Sequence, residues 1–592
     1  MAQVPLGGLA MEGDPRLSVS QDPRLSIANY PRRAIKSLHD PDVSIEEYMY
    51  YAALNRQEEE IRHGRNTGDF MRRFITSHEI KSERMAVQGR ATRLSRRARR
   101  LLPLTRWFLG VPDEEWAMAA RAARTASWGA VFYLITTDIL GPFTVPWALA
   151  QMGYGPGVAL YCIFGILAFY AGMQMWQMFM VLDSDRYPLK TYGDIAFRVY
   201  GKVARYSVNI LQSVQLFFNV GILILGSGQA IYQMSEGPNG KKPLCFIACN
   251  IIFAIAGLLL GQIRTLARFS WIANSAIWMN VFVIIMTMVV AGLTGPNYEV
   301  ANAQNLTPLV GVNGVTVQPP VTHSAGVPDD IDFQGQVVGL MQAVYSYGGA
   351  MLYCEFMHEM KKPWDFFKAQ MCAEAFIFSC YLLFGLVVYS FQGQYTVYGG
   401  YPGLSSYTWQ TVGNALVLIS GLIAACLYGN IGIKVVYQNV FRELFSAPEL
   451  ESRRGKMLWV AIVPAYWLLA FVVCSAIPNI TNFSGLIAAV CIMQFSYTFP
   501  PILKLGLDVQ IDAMLPEERF DPATGHVSRV DYGWRRWARG FRHNMPNKIW
   551  MILFATGSAA TAVLGIYSSA FSIKSAFAAN PNITSFGCTA PI

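Results

Sequence analysis

The stretch Leu134-Ile-Thr-Thr-Asp138-Ile-Leu-Gly141-Pro142-Phe-Thr-Val-Pro146 decides how this chain folds. It lies in an apolar run, residues 128–151, long enough to cross a hydrocarbon core, which takes about 20 apolar residues per helix. It cannot be one unbroken helix, because proline lacks the donor a helix interior needs and clashes with the turn before it. Gly141 followed by Pro142 reads as the end of one half-helix and the start of another, with proline at the first helical position. A second run, residues 334–357, carries Tyr345-Ser-Tyr-Gly348-Gly349-Ala near its middle, and paired glycines permit unwinding there. Non-helical backbone at membrane depth is tolerated only where it is buried in protein or lines a cavity.

Outward from these two runs the same length criterion predicts spans at 156–181, 206–232, 243–262, 269–293, 369–391, 410–437, 457–476, 484–505 and 548–571. The interrupted runs are then spans one and six, the first helices of two five-helix halves. The predicted fold class is an all-α integral membrane protein of about eleven transmembrane helices, a five-plus-five inverted repeat with helices one and six broken. Breaks at corresponding positions of two halves point to a transporter's binding site. The alternative is that Gly and Pro merely kink two packed helices, since both are common in membrane helices.

Composition agrees. Of 592 residues, 53% are hydrophobic and 14% charged, against roughly 25% charged in soluble domains. The net charge of +9 is unevenly spread, with 21 of the 47 Lys and Arg in residues 1–126. That fits loops facing anionic lipid better than a nucleic-acid surface. The expected organisation is a mostly disordered, basic cytoplasmic tail over 1–126, a transmembrane domain over 127–571 and an outer tail over 572–592. Within the first tail a short helix is expected at Ile45–Arg62, a solvated basic run at Arg93–Arg100 and an interfacial helix at Glu114–Ala126. No secretory signal is read in the first 100 residues, so span one is expected to serve as the insertion signal.

Basic residues set the orientation. With the amino terminus in the cytosol, the inner loops collect Arg186, Lys190, Arg198, Lys202 and Arg205; Arg264 and Arg268; Lys361 and Lys362; Arg442, Arg453, Arg454 and Lys456; and Arg535, Arg536, Arg539 and Arg542. Outer segments 294–333, 392–409 and 477–483 contain no Lys or Arg, and Lys241 and Lys242 are the outer exception. Glycosylation tripeptides start at Asn305, Asn479, Asn482 and Asn582, all on the outer side. Asn305 and Asn582 are the candidates, because Asn479 and Asn482 sit close to the membrane. Cys245 and Cys588 share the outer side, either as a disulfide or as two free thiols. Cys162, Cys249, Cys354, Cys372, Cys380, Cys426 and Cys491 fall in apolar runs and read as small core residues. None has zinc-ligand spacing.

A half-helix amino terminus offers free N–H groups and a positive dipole end, which suits a carboxylate. Unwound carbonyls suit an ammonium group or a cation. An α-amino acid matches both, although other zwitterions and small anions would fit. The candidate substrate residues are Thr137, Asp138, Ile139, Gly141, Tyr345, Ser346, Tyr347, Gly348 and Gly349. A mid-membrane carboxylate is a functional candidate by default, so Asp138 would bind the ammonium or carry a coupling proton; the plainer reading is a cap on freed N–H groups. Gln212, Gln215 and Asn219 share one face of span three. They and Asn430 either line the cavity or only bond neighbouring helices. Glu355, Glu374 and Lys434 lie towards the inner ends of their spans, as an inner gate or, more simply, as snorkelling side chains. His358 reads as interfacial. No Walker motif, metal-ligand set or catalytic triad is present, so an ATP-driven pump and an enzyme are not expected. No cofactor is implied beyond an ion gradient, protons first and sodium as the alternative.

From Ser127 to the last span the sequence resembles the amino acid/auxin permease family, and within it the fungal neutral amino acid permeases. The resemblance is carried in order by Gly141 to Ala148, Thr191-Tyr-Gly-Asp-Ile-Ala196 with Tyr200-Gly201, Ile263-Arg-Thr-Leu266, Glu355-Phe-Met-His-Glu-Met-Lys-Lys-Pro363 and Ser496-Tyr-Thr-Phe-Pro-Pro501. It implies an eleven-helix inverted repeat, proton-coupled amino acid uptake, and substrate contacts around Thr137–Gly141 and Tyr345–Gly349. The chain departs from the family's Gly-x-Gly at span one, where Ile139 holds the first position and Asp138 precedes it. The expected function is secondary active transport of amino acids, neutral ones first, by proton symport and alternating access in the plasma membrane. The alternatives are an amino acid sensor signalling through the tail and a vacuolar exporter. The expected partners are an amino acid and the bilayer, without nucleic acid; substrate identity and oligomeric state are not legible.

Overall fold

The computed structural model describes residues 39–63, 124, 126–139, 141, 143–237, 244–263, 269–303, 310–312, 315–317, 319–442, 447–448, 452–477, 480–515, 518, 520–521, 526–579 and 584–590. The run Arg93–Arg100, nearly all of Glu114–Ala126, and Lys241, Lys242, Arg264, Arg268, Asn305, Asn479 and Asn582 lie outside these residues, as do the side chains of Asp138, Ile139 and Arg442.

All eleven spans are present. Among the described residues, eight helices are long and apolar enough to cross a membrane. They are span two (Tyr154–Leu182), three (Lys202–Glu236), five (Phe269–Thr294), seven (Phe366–Gln392), eight (Tyr407–Val436), nine (Arg453–Ser475), ten (Ile480–Asp512) and eleven (Met545–Ala579). Span four, Phe246–Gly261, is shorter. Spans one and six are each divided, as Trp128–Ile139 with Val145–Met152, and as Phe333–Ser346 with Tyr353–Glu359. Large apolar side chains are exposed along the spans, among them Ile166, Leu293, Leu468 and Val563. Lipid solvates such side chains, so they need no partner helix.

The spans pack in two groups. Three, four, eight and nine gather around span three, while one, two, six and seven pack on one another. Span ten lies against span eleven and the first half of span six. Spans one and two are joined at Gly153, whose φ of 77° suits glycine alone among common residues. A side chain there would also run into the Gly326 carbonyl.

Each end of the bundle is tied down. At one end Cys245 and Cys588 form a disulfide. The carbonyls of Cys588 and Gly587 accept from Phe246 and Ile247 N–H at 3.1 and 3.2 Å, capping span four. Non-reducing peptide mapping is expected to recover Cys245 and Cys588 in one linked species; two free-thiol peptides would reject the pairing.

At the other end lies the helix Ile45–His63, one residue longer than expected. It buries Ile45, Tyr48, Tyr51 and Ala52. Its Arg56 and the loop residue Arg124 both reach Asp183, at 2.9 and 2.8 Å. Tyr187 donates to Glu47 at 2.6 Å. Glu46 pairs with Arg529 and Arg536, at 2.6 and 3.0 Å. The guanidinium of Arg198 sits 4.4 Å from the Tyr48 ring centroid. The short helix Tyr192–Tyr200 starts with a capping box of Thr191 and Asp194, a pairing that satisfies two otherwise orphaned N–H groups. Asp194 also takes a 2.7 Å bond from His39. Burial alone would raise its carboxyl, but His39 beside it and the backbone donor of Lys190 hold it below the usual range.

Candidate functional site

The four half-helices of spans one and six pack reciprocally. The start of span one bonds to the end of span six, Ala126 N–H to the Glu359 carbonyl and Lys361 N–H to the Ala126 carbonyl, both at 2.9 Å. The second half of span one lies on the first half of span six, with Gly339 against Gln151 and the Ala148 carbonyl. Two halves related by an axis in the membrane plane pack in this way. Each break therefore lies between two packed ends of the same antiparallel helix pair.

At the first break Thr137 turns its hydroxyl back to the Tyr133 carbonyl at 2.7 Å, which occupies it within the helix. Gly141 is exposed, and nothing lies within 4 Å of where a Cβ would sit, so the backbone there borders open space. Phe143 anchors the return by edge contacts to Phe384 and Tyr401, at 6.1 and 5.5 Å.

At the second break Tyr347, Gly348 and Gly349 form a turn, followed by a 3-10 turn over Ala350–Leu352. The Ser346 carbonyl accepts the Tyr381 hydroxyl at 3.2 Å, and the Ser346 hydroxyl lies 3.4 Å from that of Tyr161. The Tyr347 ring lies between Tyr161 and Tyr381, at 6.1 and 5.8 Å. Tyr345 is partly buried against the core.

Sequence reasoning missed the wall opposite. Span ten contains two π-helical stretches, Ala488–Ile492 and Gln494–Thr498, and Ile492 is what a side chain at Gly348 would meet. Such stretches occur frequently at functional sites. The available signal was Pro500, which has no N–H to return to the turn before it. The Phe495 carbonyl accepts instead from Tyr192 at 3.2 Å. Tyr161, Tyr381 and the pair Tyr398–Ser484, 3.0 Å apart, were also missed.

The remaining candidates divide. Gln212, Gln215 and Asn219 are all buried, and each has a side-chain oxygen with no hydrogen-bond partner. The Asn430 amide donates to the Ile263 carbonyl at 2.8 Å, tying span eight to the end of span four, and its Oδ1 likewise has no hydrogen-bond partner. Of the inner-gate candidates, Glu355 and Glu374 have different hydrogen-bond partners. Glu355 accepts from Gln212 at 3.2 Å. Glu374 accepts from Tyr353 at 3.1 Å and Gln370 at 3.0 Å, and its burial rules out snorkelling. His358 is largely enclosed, with one ring nitrogen unpartnered. Among the described residues no His, Cys, Asp and Glu cluster could hold a metal.

Two facing breaks in an eleven-span helical bundle define a membrane protein built like a small-solute carrier. Residues 124–508 match the family model described as transmembrane amino acid transporter protein, and the chain belongs to that family. It is 22% identical over 385 residues to the N amino acid transport system protein of Neurospora crassa, covering 63% of this chain and 74% of that one. It is 23% identical over 398 residues to a transmembrane transporter of Gibberella moniliformis, covering 64% and 75%. A shorter stretch of 175 residues is 23% identical to lysine histidine transporter-like 3 of Arabidopsis thaliana, covering 28% and 38%.

Proposed function

We propose that this chain moves neutral amino acids by proton symport, alternating access to a site where the two broken helices meet. The observation that supports the reading is the reciprocal packing of the half-helices on either side of the two breaks. Free N–H groups at the start of Val145–Met152 would take the carboxylate. Carbonyls of the unwound segments and Asp138 would take the ammonium. The apolar wall of Tyr347 and Ile492 favours an uncharged side chain. The amino-terminal helix would lie on the cytosolic face and the disulfide outside, in the plasma membrane or, alternatively, the vacuolar membrane.

The test is uptake by the purified chain in liposomes, with a panel of competing amino acids and imposed pH or sodium gradients. Accumulation that follows the pH gradient is expected, and indifference to both gradients rejects symport. Asp138→Asn is expected either to abolish uptake, as an ammonium contact requires, or to leave uptake that no longer responds to pH, as a proton carrier requires. Wild-type uptake with a normal pH response would remove Asp138 from the site.

A second reading, an amino acid sensor, is favoured by the docking of Ile45–His63 on the bundle, which ties the tail to the membrane domain. Deleting residues 1–38 spares that helix. A transporter should keep its uptake, whereas a sensor should bind its amino acid and lose its signal.

A further inference from the structure

We infer that Glu355 is the group whose protonation locks the broken helix six against span three, and so couples a proton to its movement. This rests on the proton-symport reading above. Glu355 stands in the short inner half of span six, Tyr353–Glu359. Its Oε1 accepts from Nε2 of Gln212 on span three at 3.2 Å. Spans six and three belong to different packing groups, so this bond crosses the boundary along which one group would move against the other.

The pair leaves two acceptors over. Glu355 Oε2 and Gln212 Oε1 are both buried, and neither has a hydrogen-bond partner. A proton on the carboxyl turns one surplus acceptor into a donor. Charge points the same way. The titratable groups around Glu355 include Asp194 on the helix Tyr192–Tyr200, Glu359 on its own half-helix and the neighbouring Cys354, while the buried cation Arg198 acts on Asp194 and Cys354. Asp194 is already engaged by His39, and Lys434 of span eight acts on Glu359. Among the described residues Glu355 is in no ion pair. A buried anion without a cation is costly, and a proton removes the cost.

Glu374 differs. Its partners Tyr353 and Gln370 lie within its own packing group, so its proton would not oppose movement between groups. Docked against Gln212, Glu355 holds its proton. As the half-helix leaves span three and water enters, the O–H bond breaks and the proton passes to water, leaving a hydrated carboxylate. Asp138 is then left to the ammonium of the substrate.

The experiment compares wild type and Glu355→Gln as full chains in liposomes, loaded with a pH-sensitive dye. The inference expects Glu355→Gln to exchange labelled for unlabelled amino acid at equal pH on both sides. It expects accumulation under a pH gradient to fall by about tenfold or more, with substrate-induced proton influx lost. Wild type that exchanges substrate but ignores the pH gradient defeats the symport reading itself. Wild type that is coupled, beside a variant that still accumulates and carries protons, overturns the inference alone. Should Glu355→Gln fail to fold, Gln212→Leu reads the same bond. Its accumulation must keep a proton requirement with a shifted pH midpoint, and an unmoved midpoint overturns the inference.

Discussion

Asp183→Asn is expected to destabilise the folded protein by about 3–5 kcal/mol, the usual result of removing one partner from a buried ion pair. Asp183 caps span two with no solvent exposure. Its Oδ2 takes Arg56 at 2.9 Å and Arg124 at 2.8 Å, and its Oδ1 takes the Leu189 N–H at 3.0 Å. Asparagine keeps the size and the Leu189 bond but removes the charge. Arg56 and Arg124, both under a tenth exposed, would be left sharing Glu59, which pairs with them at 2.6 and 3.6 Å.

The same site sets an acid limit. Burial alone would raise the Asp183 carboxyl, but Arg124 and Arg56 outweigh it and hold the group below its ordinary range. A carboxyl depressed by folding contributes stability that is complete above its unfolded value of about 3.9 and is lost as pH falls through the folded one. The melting temperature of detergent-purified protein should therefore be flat with respect to this group from neutral pH down to about 5, and should drop below about 4. The variant should start low and lose that acid step. A variant melting with wild type at neutral pH would show that the network bears no load.

How much of this the sequence could reveal depended on how local each signal was. The breaks were legible because Gly141-Pro142 and Gly348-Gly349 forbid or relax a helix within two residues. Spans were legible from apolar length, and the helix Ile45–His63 from its own pattern. The Asp183 network was not, because its arginines lie 127 and 59 residues away in sequence, and each alone was one more positive charge in a basic tail. The π stretches of span ten were hidden inside a uniform apolar run, where the register of backbone bonds leaves no compositional trace. Asn430 could not be assigned from sequence, because a polar group in a span looks alike whether it faces substrate or a neighbouring carbonyl. Glu355 and Glu374 looked interfacial because their positions were counted along straight helices. Span six is not straight, and its inner half carries Glu355 into the packed protein.

Gly348→Leu should cost the protein its transport while leaving most of its fold. A Cβ at this position would lie 2.9 Å from Ile492 Cγ2, 3.2 Å from Ile492 Cδ1 and 3.2 Å from the Tyr345 carbonyl. The first neighbour is the β-branch methyl of a buried isoleucine, stiff at χ1, so the clash is relieved by shifts around Ile492 and overpacking should cost about 3 kcal/mol. The remaining carbons of leucine would lie between the unwound turn and the π stretch of span ten, across the backbone groups that the proposed site assigns to the substrate. A hydrogen bond to a charged group is worth about 1.5–3 kcal/mol. Losing two of them weakens binding by about 100-fold or more, at 1.4 kcal/mol per tenfold. Gly141→Ala is the counterpart, since its added methyl meets nothing within 4 Å and should leave the melting temperature unchanged. Uptake and ligand-induced thermal stabilisation should both vanish in Gly348→Leu, while the protein remains monodisperse. Wild-type affinity in that folded variant would place the substrate elsewhere, because the turn at Gly348 has no room for both a leucine and an amino acid.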